Sequence, residues 1–368
     1  MNNSPLSPKI DKLIQSLASR GKTTMTIACI TLAATTASAP AFADDTTCAA
    51  IPPANPDVTA VGYYTDPQQS IIDPVLYEEN KEDIAPLTTF TDCLARMSDH
   101  YLNNPADTAD ANSILSWLDN WASNGAMLGK MVHINNHQAD FMRQWTHGTA
   151  AIAYLKTRPL ATADQRQRIE GWLKTLSADT LQYWQDPNNE RNNHFYWTGV
   201  GVMATALATN DANLLAAAQA IYREGIDDIQ SNGSLPFELR RGRLALHYTS
   251  FAAAPLVLMA EMAHEWGYDW YSYHVGSLES LTQLIASGYR DSSWFDAAAG
   301  TPQTDKTPTT FSGWVEFYRQ HSTNPAAFDA MHNGGPYIDT WMGGNLTMMA
   351  QRGIAPGSSP AGAQAAAR

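Results

Sequence analysis

Only three cysteines occur in the 368-residue chain, Cys29, Cys48 and Cys93, and no two have the C-x-x-C spacing of a zinc ribbon or thiol redox site. A glycine-rich phosphate loop is missing, as is any paired acid motif. There is no convincing run of strand period and no βαβ alternation, which disfavours sheet-based folds. Positive charge is scarce, with 23 Lys and Arg against 36 Asp and Glu and a net charge of −13. Residues 1–43 carry a net +3, so the remainder stands at −16. A body that acidic argues against nucleic acid or an anionic membrane as partner. An anionic substrate stays allowed, because a cleft can be basic inside an acidic surface.

What is present begins with an export pattern. Arg20 and Lys22 precede the apolar run Met25–Ala34, which is too short for a lasting membrane anchor. Small residues then lead to Ala41-Phe42-Ala43. The pattern predicts a signal peptide over residues 1–43 and a periplasmic or secreted protein, with no membrane insertion after cleavage. Its plainer reading is an N-terminal tail. Cys29 leaves with the signal, so Cys48 and Cys93 remain either as one bridge to a helix over 91–102 or as two free thiols.

With 44% apolar residues and eleven Trp, the chain can bury a large core. Residues 44–82, rich in Pro, Asp and Thr, read as an extended arm or loop. Beyond them, Thr162-Ala163-Asp164-Gln165 makes a capping box, followed at helical spacing by Ile169, Trp172, Leu173, Leu176, Thr180 and Trp184. Similar stripes fall at 114–121, 141–155, 200–208, 214–226, 246–264 and 278–285, separated by short polar breaks. Many medium helices joined by short turns predict an all-α fold of antiparallel helical hairpins, arranged as an α/α toroid with a central cleft over 44–352. A solenoid or bundle would have the same helix count. The Gly/Ser/Pro/Ala-rich tail from Gly353 reads as disordered.

Two segments concentrate chemistry: Asn192–Trp197, and Leu235–Tyr248 about forty residues later. Asn193 offers an amide and His194 an imidazole at the start of an apolar helix. Their plainer reading is an N-cap with a core-edge histidine. Tyr248 is a phenol, a poor base at neutral pH unless positive charge lies close. Arg240, Arg241 and Arg243 supply that charge, and Arg241 shares a helical face with Tyr248 if the helix starts early enough; Gly242 makes that start uncertain. Gln138, Arg143 and Trp145 add an amide, a guanidinium and an indole suited to a sugar carboxylate and ring face, although core packing explains Trp145 as well. His133 and His137 have the spacing of a zinc helix but lack its glutamate and any evident third ligand, so no metal is expected. Asp119, Glu238 and Glu316 read as lone surface or capping carboxylates.

These residues suit proton removal α to a sugar carboxylate. The enzyme must neutralise that carboxylate, take the C5 proton and protonate the departing O4. Through Asn192-Asn193-His194-Phe195-Tyr196-Trp197, Ser231–Arg240 through Tyr248, Ser116–Trp121, Met142–Trp145 and Gly343-Gly344-Asn345-Leu346-Thr347, the sequence resembles the alginate lyases of polysaccharide lyase family five, the periplasmic mannuronate lyases. The resemblance covers most of the mature chain. It implies an α/α toroid, β-elimination without metal or cofactor, and a product with a 4,5-unsaturated uronate at the non-reducing end. Asn193 and His194 match the family's carboxylate-neutralising pair, Arg241 its tyrosine-polarising arginine, and Tyr248 its base and acid. Gln138, Arg143 and Trp145 resemble substrate contacts. Residues 63–83, with Tyr64 as a further contact, fall where the family carries a mobile lid. Trp341 stands before Met342-Gly343-Gly344, where members of the family carry Arg. The expected partner is the anionic polysaccharide alginate, bound by a monomer. A toroidal glycoside hydrolase and a non-catalytic polyuronate-binding protein are the alternatives.

Overall fold

Short polar turns separate the helices, and the helices fall into two kinds by what they bury. The protein, seen in a computed structural model, is described for residues 48–358; the expected signal peptide lies outside the described residues. Strand β1 (Val58–Val61) leads to α1 (Pro74–Asp83), α2 (Ala85–Asn103) and α3 (Ala109–Ser123). Strand β2 (Met131–Ile134) pairs in parallel with β1 and precedes α4 (Gln138–Thr157). Then come α5 (Ala163–Tyr183), α6 (Asn193–Thr209), α7 (Ala212–Asp227), α8 (Ala245–Glu265), α9 (Ser277–Arg290) and α10 (Ser293–Ala299). Strands β3 (Ile338–Asp339) and β4 (Gly344–Asn345) form a small antiparallel pair before α11 (Leu346–Arg352).

Helices α2, α4, α6 and α8 pack side by side as an inner ring, and α3, α5, α7 and α9 lie outside them. The expected α/α toroid is therefore present. Amphipathicity follows this division. Outer helix α5 buries only Ile169, Trp172, Leu173, Leu176, Ser177 and Thr180, which is one stripe. Its capping box forms as the sequence predicts, with the Gln165 backbone N–H donating to Thr162 Oγ1 and the Thr162 backbone N–H to Gln165 Oε1. Inner helices α4 and α8 are enclosed on nearly every side. All of α4 except Phe141 is buried, as is all of α8 except His247 and His264. The segment Gly242–Glu265 is apolar and long enough to cross a membrane, but it is the enclosed core of this ring.

The ring is completed by the C-terminal segment. Residues 310–318 pack on α8 and on α11, and α11 and β4 pack on α2. Fully buried Lys156 donates from Nζ to the Gly343 carbonyl at 2.7 Å, and Asp99 accepts the Asn345 N–H at 2.9 Å. Gly343 and Gly344 hold φ of +96° and +123°, and a Cβ on either would collide with Ile152 or Asp99. Only glycine fits that turn.

Four expectations need correction. Residues 44–82 are not all loop: Asp73 caps α1 by accepting the N–H groups of Val75 and Leu76. Of α1 only Asn80 is buried, so the helix has no apolar stripe to betray it. The tail is packed as far as Ser358, with Ile354 and Ala355 buried. Asp119 pairs with Arg168 and Glu316 with His332, so neither is lone. Of the two states left open for the cysteines, the structure has the bridge: Cys48 and Cys93 are joined, closing a 45-residue separation onto α2.

Candidate active site

Phe141, His194 and His247, left incompletely buried on α4, α6 and α8, all line one cavity of 270 Å³. Tyr63, Tyr64, Gln69, Ile72 and Tyr77 cover the cavity from the segment between β1 and α1 and from α1 itself. Trp145, Phe251, Phe311 and Trp341 build an aromatic wall, with Trp145 and Trp341 stacked at 4.1 Å and 7°. Among the described residues, no Asp or Glu lines the cavity.

Tyr248 lies one turn into α8 with its hydroxyl 2.5 Å from that of Tyr64. The Arg241 guanidinium lies flat on the Tyr248 ring, 3.4 Å from its centroid, and donates from Nη2 to the Gln69 carbonyl at 2.8 Å. The pair meets, but not along one helical face. Gly242, at φ +54°, breaks the chain between the turn Pro236–Leu239 and α8, and Arg241 folds back from that break. Of the three arginines only Arg241 lines the cavity; Arg240 pairs with Glu190 at the surface.

The electrostatics also correct the expectation of an acidic phenol. Burial pushes the Tyr248 phenol well above its ordinary value, and Arg241 offsets this only in part. The resting phenol keeps its proton. His194 goes the other way, lowered to about 3 by burial and then by Arg241. Its imidazole is neutral at any working pH, stacked on Phe141 at 3.7 Å, with Nδ1 buried and unpartnered.

Asn192 is the N-cap of α6, accepting the His194 N–H through Oδ1. Asn193 is fully buried and stands behind the cavity lining. Its Nδ2 donates to both Glu238 oxygens, at 3.0 and 2.9 Å, and its backbone N–H donates to Glu238 Oε1 at 3.1 Å. Glu238 is therefore not a lone surface group. Burial raises its carboxyl to about 7, against the pull of Arg241.

Gln138 and Trp145 line the cavity as expected. Arg143 does not: it pairs with Asp140 at 3.3 Å and Asp179 at 3.8 Å, so protein carboxylates take the guanidinium assigned to substrate. Sequence reasoning missed Glu238 as a partner and His247, Phe311 and Trp341 as lining. Of these only Trp341 carried a signal, by standing where the resemblance calls for arginine.

A family model described as Alginate lyase matches residues 57–295. A protein of Stenotrophomonas maltophilia (strain K279a) named Polysaccharide lyase is 49% identical over 318 residues, 86% of this chain and 94% of its own. An alginate lyase of Azotobacter vinelandii is 32% identical over 275 residues, 72% of each chain. Alginate lyase A1-III from Sphingomonas species A1 superposes with a TM-score of 0.67 at 22% identity, over 84% of this chain and 91% of its own. A variant of A1-III complexed with a tetrasaccharide gives a TM-score of 0.69 at 21% identity, over 83% and 90%. The structural likeness establishes the shared toroid; the sequence matches carry the rest. This protein is a polysaccharide lyase. More narrowly, the chain belongs to the alginate lyase family, whose model spans well over half of it.

Proposed function

We propose that the protein is an exported lyase that depolymerises alginate at 4-linked β-D-mannuronate. It leaves oligosaccharides with a 4,5-unsaturated uronate at the new non-reducing end. The observation that carries this reading is the convergence of the Tyr248 phenol, the Arg241 guanidinium and the neutral His194 imidazole on one cavity. A hydrolase would need two opposed carboxylates, and among the described residues the cavity lining has none. The Cys48–Cys93 bridge supports export, since such bonds persist in oxidising compartments.

In mannuronate H5 and O4 lie on the same ring face, so one phenol serves both steps. The reactive form of Tyr248 is the phenolate left when its proton passes to solvent, and Tyr64, hydrogen-bonded to the Tyr248 oxygen, donates to that phenolate as it takes H5. The C5–H electrons form the C4–C5 double bond, the C4–O4 bond breaks, and O4 takes the proton back from Tyr248. His194 donates to the substrate carboxylate. Asn193 Nδ2 donates to both Glu238 oxygens behind the cavity, so we assign Asn193 as the positioning group that fixes the start of α6 and with it His194.

Tyr248→Phe is expected to lower turnover by more than about 10³-fold while leaving oligosaccharide binding near wild type. Ultraviolet absorbance of the new double bond, followed on separate mannuronate, guluronate and mixed polymers, reads both activity and preference. Unchanged turnover in the variant removes Tyr248 from the mechanism. Faster absorbance on guluronate overturns the preference, and chain shortening without absorbance overturns elimination itself.

A further inference from the structure

We infer that His133, His137 and Asp140 form a binding site for one divalent transition-metal ion of the zinc type, at the junction of β2 and α4. His133 lies on β2, His137 immediately precedes α4, and Asp140 is in its first turn. Between the two histidines the backbone turns at Asn135, with φ of +67°, a conformation asparagine tolerates better than most residues. That turn brings His133 back to the start of α4, where His137 and Asp140 lie three residues apart.

One ligand atom from each of the three residues lies within 4.8 Å of the others. His133 Nε2 is 2.5 Å from Asp140 Oδ2, and the two imidazoles stack at 4.4 Å and 27°. Two imidazoles and one carboxylate are a donor set suited to zinc and its neighbours, with a coordination position left open. The outer groups are also in place. The Tyr183 hydroxyl lies 2.9 Å from His137 Nδ1, which leaves Nε2 for an ion. Arg143 Nη2 holds Asp140 Oδ1 at 3.3 Å, which leaves Oδ2 on the side of His133. Such second partners fix ring and carboxylate orientation at metal sites. The His133 side chain is 44% exposed and that of Asp140 5%, so the site is open to solvent over a buried base.

The elimination chemistry uses none of the three ligands, and this inference does not depend on it. A bound ion would tie β2 to α4 at the turn that delivers Asn136 and Gln138 to the cavity. The plainer arrangement is a histidine–aspartate pair that binds nothing, and titration separates the two.

The mature chain, without a histidine tag and treated with chelator, is titrated with Zn²⁺ by calorimetry and with Co²⁺ by visible absorption. One equivalent is expected to bind and to raise the melting temperature. His133→Ala and His137→Ala are each expected to weaken binding at least ~10-fold, and Tyr183→Phe by about 10-fold. Polymer cleavage by His133→Ala, followed in the ultraviolet, serves as the control for folding. Absence of one-to-one binding overturns the inference. So does wild-type affinity in both histidine variants, which would place the ion elsewhere.

Discussion

Just upstream of α8, buried Glu238 accepts hydrogen bonds from Asn193; at the C-terminal end of α8, buried Glu265 accepts them from the Ile354 N–H and the Ser358 hydroxyl. Burial pushes both carboxyls up to about 7. Each also has a cation nearby that pulls the other way, Arg241 for Glu238 and Lys156 for Glu265. The chemistry is alike and the consequences differ. Glu238 holds a residue that borders the cleft, whereas Glu265 fastens the segment that completes the ring. A strongly shifted carboxylate therefore marks function only through the groups it holds.

The seam side gives the largest expected effect. Lys156 is fully buried, with burial lowering its ammonium pKa and Asp99 and Glu265 raising it again. Removing it leaves those two carboxylates without their buried cation, and breaking such an arrangement costs about 3–5 kcal/mol. Lys156→Ala is expected to lose that much in urea unfolding, while turnover per folded molecule stays at the wild-type level. A loss of turnover at full stability would mean that seam and cleft are one unit.

How far the sequence could be read divides along similar lines. Outer helices were legible because they bury one face, as the α5 stripe and its capping box show. Inner helices were legible as apolar segments, but enclosure on both sides erases the period that would mark Phe141, His194 and His247 as cleft-facing. Helix α1 escaped notice because its residues are mostly polar and exposed. For the site, Tyr248, Arg241 and His194 were reached from residue type and resemblance. Their geometry was not, since it depends on the chain break at Gly242 and on burial that outweighs Arg241 at the phenol. Arg143 was misassigned because its local i,i+3 partner Asp140 was passed over and its second anion, Asp179, is brought in by folding.

The cleft side predicts a smaller effect of the opposite kind. Glu238→Gln keeps the volume but replaces a two-oxygen acceptor with an amide, so Asn193 loses its fixed orientation. Small misplacement of a positioning group costs up to about 10²-fold. We expect kcat to fall by roughly 10- to 100-fold, with little change in melting temperature. Glu265→Gln should show the reverse pattern. Equal effects of both variants on turnover would erase the distinction between the two carboxylates.

The finest test is pH. Ionised Glu238 accepts both Asn193 N–H groups, whereas the protonated acid surrenders an acceptor oxygen and leaves the amide less constrained. Activity is therefore expected to rise a few-fold as pH passes through about 7, and this rise should be missing in Glu238→Gln. His194 adds no inflection there, because burial holds its value near 3. Stability runs the other way. A carboxyl raised by folding favours the native state fully below its unfolded value, about 4.3, and that advantage is lost as pH climbs through about 7. Relative to Glu238→Gln, the wild type should thus lose melting temperature from about pH 4.3 up to about 7, levelling off above the pH at which it gains activity. Glu265, raised to about 7 by the same burial, predicts the stability trend with no change in activity. An activity inflection that moves with Glu265→Gln instead would assign the titration to the seam and detach Glu238 from the chemistry.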